Sequence, residues 1–247
     1  MVSPNMTVMA THTPTVAAAR KALRALADPE RAPDLQRFFK TGPGQYAEGD
    51  RFIGVPVPDT RKLVKRFEQM PLRSIPALLK SKIHEERLLG LLLLVRGYRK
   101  GDAAVRRQIY TIYTAHFDRI NNWDLVDVTA EHIPGAYLFE RDRSPLYLWV
   151  ASDQLWTRRI ALMSTFHFIK RHDFIDTLRL AERCLSDPHD LIHKAAGWML
   201  REVGNRDRDR EEQFLKRHYR SMPRTMLRYA IEKFPASRRR AYLRGTV

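Results

Sequence analysis

Trp123 and Asp127 stand four residues apart in NNWDLVD (121–127), and Lys194, Trp198 and Arg201 keep helical spacing in HKAAGWMLREVG (193–204). Residues three, four and seven apart share one helix face. The first segment would therefore present an indole with a carboxylate, the second an indole with two cations. An exposed indole can stack on a sugar, a base or a cation, worth about 0.5–2 kcal/mol, although core packing is the commoner fate of a tryptophan. Asp124 has a structural use as a first-turn acid behind an Asn121 or Asn122 cap. Asp127 has no such use and is left with surface solvation, an ion pair to a neighbouring arginine, or chemistry. Trp149 and Trp156 lack an equivalent acidic neighbour and read as packing. His189 and His193 have a metal-gripping spacing but no third ligand, Cys184 lacks a nucleophile motif, and no glycine-rich phosphate loop is present, so no metal or cofactor is expected.

The elements that must position these residues read as helices almost throughout. Apolar residues recur at helical spacing over 17–27, 60–67, 75–83, 87–98, 104–116, 145–150, 155–169, 174–185, 189–203 and 211–218. Asp59, Ser152 or Asp153, Asp187 and Ser221 are expected as start signals. Residues 41–58, with four glycines and three prolines, read as a structured loop between early helices. Aligning EERLLGLLLL, NNWDLVDVTA, TRRIALMSTF and IHKAAGWMLR puts Arg87, Trp123, Arg159 and Lys194 in one slot at intervals of 36, 36 and 35. Helix pairs at that period predict an all-α solenoid whose inner faces form a concave groove. Arg159 and Arg201 would turn their forked donors toward it, as phosphate contacts.

Composition narrows the partner. The 247 residues carry 44 Lys and Arg against 28 Asp and Glu, a formal charge of +16. Such an excess is best tolerated where a polyanion meets it, which makes nucleic acid the leading partner. A single cysteine gives no internal disulfide framework and fits a reducing compartment. The longest apolar run, Leu88 to Val95, is far below the ~20 residues of a membrane span. Met1 to Thr15 lacks the pattern of a secretory signal and is expected to be a loose tail before a single repeat domain over 16–247.

NNWDLVD, SDQLWTRRIAL (152–162) and HKAAGWMLREVG together resemble the signature stretches of the bacterial DNA alkylation repair family, the AlkD-like DNA glycosylases built from HEAT-like repeats. The similarity runs from about Leu35 to Phe234. It implies a curved all-α solenoid holding duplex DNA on its concave face, and excision of cationic alkylpurines such as 3-methyladenine and 7-methylguanine. By the same resemblance Asp127 is the catalytic aspartate, Trp123 and Trp198 are the groove tryptophans, and Arg159 and Arg201 grip phosphate. Lys194 and Arg158 complete the basic lining. Phe38 stands where the family has a tyrosine and keeps the ring without the hydroxyl. The resemblance further implies capture of the lesion through its backbone and sugar, no lyase activity, no cofactor, and a cytoplasmic protein drawn to the nucleoid by its DNA partner, with a monomer as the default. The alternatives are a non-catalytic DNA-binding member of the family and a protein-binding scaffold.

Overall fold

The computed structural model describes residues 13–247. The expected tail falls mainly on residues 1–12, outside the described residues; its last member, Thr15, caps the first helix by accepting from the Ala18 N–H at 3.2 Å. Among the described residues the regular structure is helical apart from one isolated bridge, Arg51 to Ile83. In order the helices are α1 (Val16–Arg24), α2 (Ala32–Phe38), α3 (Val57–Arg66), α4 (Pro76–Leu79), α5 (His84–Lys100), α6 (Ala103–Thr114), α7 (Trp123–Asp127), α8 (Ala136–Leu138), α9 (Ser144–Trp149), α10 (Leu155–Ser164), α11 (Phe166–Ile169), α12 (Ile175–Arg183), α13 (Asp190–Gly204), α14 (Arg208–His218), α15 (Arg224–Ala230) and α16 (Ala236–Arg244). A π-turn over Glu131–Gly135 links α7 to α8.

The architecture is an α-solenoid. An inner series α3, α5, α7, α10, α13 and α15 packs each on the next, while α4 and α6 cover α5, α9 covers α10, and α12 and α14 cover α13. This explains the apolar run of α5: Leu88 to Val95 are all buried, because neighbours close on the helix from several sides. Each such leucine contributes about 1.5–3 kcal/mol by leaving water. No described helix is long and apolar enough to cross a membrane.

The repeat is real, but its register differs by one residue from the sequence alignment. Arg87, Arg158 and His193 are each the fourth residue of α5, α10 and α13, and each donates to the carbonyl six residues back, on Ser81 (2.9 Å), Ser152 (2.9 Å) and Asp187 (2.6 Å). These three are the equivalent slots: Arg159 and Lys194 fall one residue later, and Trp123, the first residue of the short α7, does not share the slot. Start signals also shift slightly. Asp59 lies within the first turn of α3, and Asp187 and Ser152 accept from the N–H of His189 (2.8 Å) and Gln154 (3.1 Å), the residues that precede α13 and α10.

The 41–58 loop is ordered by what it touches. Arg51 pairs with both sides of Ile83, donating to Lys82 O at 3.1 Å and accepting from His84 N at 2.8 Å. The Glu85 carboxylate accepts from the N–H groups of Ile53 (3.0 Å), Gly54 (3.0 Å) and Val55 (3.3 Å). Gly54 has φ of 85°, and a Cβ there would meet Asp28 O at 2.1 Å, so only glycine lets the strand of chain pass.

Candidate functional site

The short α7 carries the candidate carboxylate and the first indole. Asn122 caps it, its side-chain oxygen accepting from Trp123 N at 2.8 Å. One turn on, Asp127 faces α10, where Arg159 grips it as a fork: Nε to Oδ1 at 2.9 Å and Nη2 to Oδ2 at 2.8 Å. The same guanidinium donates from Nη1 to the Leu191 carbonyl of α13 at 2.6 Å. Arg159 is only 5 % exposed. Burial raises the Asp127 carboxyl above its ordinary range, and the attraction of Arg159 opposes that rise.

Trp123 is half-buried at the end of an aromatic stack. Its ring lies on Phe39 at 5.2 Å, Phe39 lies on Phe52 at 5.0 Å, and Phe52 lies on His84 at 4.3 Å. Phe38, 61 % exposed, meets the indole edge-on at 5.8 Å. Trp198 is also half-buried, two turns along α13 from Leu191. It tilts against Phe166 at 6.1 Å and donates from Nε1 to Glu202 Oε1 at 3.3 Å. Neither ring is sealed in the interior. Trp156 is buried, and Trp149 is half-buried against Phe117 at 5.0 Å, so both serve packing.

The cations divide into those held by the fold and those left open. Arg158, expected in the basic lining, is half-buried and tied to Asp187 at 2.7 Å and to the Ser152 and Asp153 carbonyls, so its guanidinium stitches neighbouring repeats. Arg159 has three of its five N–H donors engaged within the protein, so any phosphate contact would have to use the remaining two. Arg201 pairs with Glu232, and Lys194 pairs with Asp190 at 2.9 Å on a partly exposed side chain. His189 and His193 serve the fold as well: His189 Nδ1 caps α13 through Leu191 N at 3.1 Å, and His193 bonds Asp187 O. No group of three metal-ligating side chains occurs among the described residues.

Two features escape the sequence reading. A depression of about 490 Å³ is lined by Asp127 and His132 together with Arg61, Arg96, Arg99 and Lys100 from α3 and α5. Apart from Arg159, which grips the carboxylate itself, the cations that wall this depression come from the N-terminal half, whereas the basic residues singled out in the sequence lie in the C-terminal half. Tyr46, from the 41–58 loop, packs edge-on against Trp156 at 5.7 Å, and its hydroxyl faces the Trp123 indole. A phenol hydroxyl thus reaches the first indole from the loop, although Phe38 carries none. A lone tyrosine in a glycine-rich stretch has no periodic pattern to announce it.

A solenoid of stacked helix pairs, with a forked carboxylate one turn from a half-buried indole and lining a cation-walled depression, defines a helical-repeat protein. The DNA alkylation repair enzyme family model matches residues 19–234, and the chain belongs to that family. A solved structure described as a predicted DNA alkylation repair enzyme from Enterococcus faecalis superposes with a TM-score of 0.69 over 85 % of this chain and 97 % of its own, at 18 % identity. At that identity the likeness speaks for the fold. No curated protein matches the sequence.

Proposed function

We propose that the protein is a monofunctional DNA glycosylase that hydrolyses the N-glycosidic bond of cationic alkylpurines, of the 3-methyladenine and 7-methylguanine class, in duplex DNA. The observation that carries this reading is the Asp127 carboxylate, oriented by a buried bidentate arginine and lining a depression walled by cations. An N3- or N7-alkylated purine already bears positive charge. When its C1′–N bond breaks, the bonding pair goes to the base, which leaves neutral and needs no general acid. Positive charge grows on the deoxyribose instead, where a fixed carboxylate stabilises it. At about 4 Å and an effective dielectric near 20, one such charge pair is worth about 4 kcal/mol. Water then forms the C1′–O bond, and Asp127, made more basic by burial, takes its proton. Each Asp127 oxygen receives a single arginine N–H and keeps acceptor capacity for that water. Trp123 and Trp198 would hold the cationic lesion and its sugar by cation–π and C–H contacts. No lysine nucleophile and no metal is required by these steps.

Base release from N-methylated duplex, measured side by side for wild type and Asp127→Asn, tests the reading. Wild type is expected to release alkylpurine. The variant is expected to lose about 1,000-fold in rate, the scale of removing one preorganised electrostatic group, while binding duplex within a few-fold of wild type. Equal release by the variant removes Asp127 from the mechanism. Binding without release by either protein leaves the non-catalytic DNA-binding member of the family.

A further inference from the structure

Directly beneath the Trp123 stack lies a buried polar cluster that the excision step does not use. His84, the first residue of α5, is 1 % exposed. Its Nδ1 lies 3.2 Å from Asp50 Oδ2 and its Nε2 lies 2.8 Å from Asp124 Oδ2. Asp50 also accepts from Arg87 Nη2 at 2.6 Å and from Asn121 Nδ2 at 2.7 Å, and Arg87 Nη2 reaches Asn121 Oδ1 at 3.0 Å. A neutral imidazole has one N–H and one lone pair, so in that form a lone pair would face a carboxylate oxygen. Only the imidazolium donates to both.

Charge balance agrees with this. Asp50 and Asp124 are negative, Arg87 and protonated His84 positive, and the four cancel. Glu85 also faces the ring; burial raises its carboxyl, and its oxygens are held by the 53–55 backbone N–H groups. The charged and titratable groups around the imidazole are thus Asp50 from the loop, Glu85 and Arg87 from α5, and Asp124 from α7. Burial lowers the basicity of the ring, but Asp124 and Asp50 outweigh it, and His84 stays protonated above the ordinary imidazole value of 6.5.

What the cluster holds is the start of α7. Five residues are too few to sustain a helix alone, so α7 depends on its anchors. Asp127 is anchored by Arg159 at the far end. At the near end Asp124 is anchored by His84, and the other Asp124 oxygen, Oδ1, is buried without a partner. Trp123 precedes Asp124 directly and shares the Phe39–Phe52–His84 stack. We propose that the His84 imidazolium, bonded between Asp50 and Asp124, is a positioning residue that fixes the first turn of α7 and with it the Trp123 ring that engages the lesion. The catalytic half of this inference rests on the glycosylase reading; the structural half does not.

The sign follows from the geometry. Below the His84 pKa the charges of Asp50, Asp124, Arg87 and His84 cancel and Trp123 is held. As pH rises through it, a net negative charge is left buried and the first turn loosens. The test uses the full chain. Nitrogen-15 NMR of the imidazole follows His84, and the emission difference between wild type and Trp123→Phe follows the indole. Both are expected to move together at a pH above 6.5. Single-turnover release is expected to fall on the same limb. His84→Gln should lose about 10- to 100-fold, the scale of a small misplacement, and should lack that limb. The double variant His84→Gln/Asp124→Asn, whose network is neutral again, should recover most of the loss. A neutral His84 at pH 6, Trp123 emission that ignores the His84 titration, or a double variant no better than His84→Gln each overturns the proposal. Should wild type release no base, the glycosylase reading fails on its own, and the NMR and emission titrations still decide whether His84 positions Trp123.

Discussion

The guanidinium of Arg159 joins three inner helices at one point, binding Asp127 of α7 and the Leu191 carbonyl of α13 from its own place on α10. Removing it would leave a buried carboxylate without a partner, a change that costs about 3–5 kcal/mol. Burial already raises the Asp127 carboxyl, and without the opposing cation it would rise further, so the ionised form would be lost at a higher pH on acidification. Arg159→Ala should therefore lower the midpoint in urea and shift the acid limb of the release profile upward, with Arg159→Lys intermediate on both. The salt dependence of duplex binding should stay as in wild type. A flattened slope would instead support the phosphate contact expected from the sequence. Asp127 stands out in the sequence because it lies one turn from an indole, and an ion pair to an arginine is among its readings. Which arginine, and that the grip is bidentate, is set by the α7–α10 contact, which spacing along one chain does not reveal.

At the scale of elements, legibility follows apolar periodicity. The long inner helices α5, α10 and α13 each bury a broad face and are visible as patterns. By contrast, α2 buries no residue and leaves no pattern, though it carries Phe38. The five residues of α7 span little more than one turn, and only its cap and its chemistry point to it. The one-residue slip in repeat register has a similar origin: side-chain type suggested Arg159 and Lys194 as equivalents of Arg87, but helix starts and the carbonyls six residues back define the slot. Close packing of α13 on α15 is another feature set by a single residue. A Cβ on Gly197 would lie 2.4 Å from the Met226 carbonyl oxygen and 2.6 Å from Tyr229 Cβ, and backbone cannot yield as a flexible side chain can. Gly197→Ala is expected to destabilise the chain by about 1–3 kcal/mol, as overpacking does, despite the better helix propensity of alanine. Thermal unfolding measures it; an unchanged or higher midpoint would mean that α15 can move away. Because Trp198 follows Gly197 directly, the same variant should also perturb lesion engagement.

For the whole molecule, the decisive quantity is where the sixteen excess positive charges are available to a polyanion. A cation contributes to duplex binding by releasing a counterion, which requires it to reach a phosphate, and each such contact adds about 0.9 to the slope of log affinity against log salt. The Arg158 guanidinium is tied down by Asp187 and two carbonyls. Arg96 and Lys100 share Glu68. Arg61 and Arg99, in contrast, are exposed at the rim of the depression that Asp127 lines, and Arg99 meets only His132 among the bonds that hold the rim. Replacing both by alanine should therefore reduce the salt slope for unmodified duplex by nearly 2, with little change in the unfolding midpoint, since exposed cations contribute little to stability. Arg158→Ala should do the reverse, leaving the slope intact and lowering the midpoint, because it removes the ion pair to Asp187 and the two carbonyl bonds that join neighbouring repeats. Fluorescence anisotropy across a salt series, paired with thermal unfolding of the same variants, separates the two kinds of cation. A slope that falls for Arg158→Ala and not for the rim pair would move the proposed DNA track off this depression and toward the C-terminal repeats that carry Lys194 and Arg201.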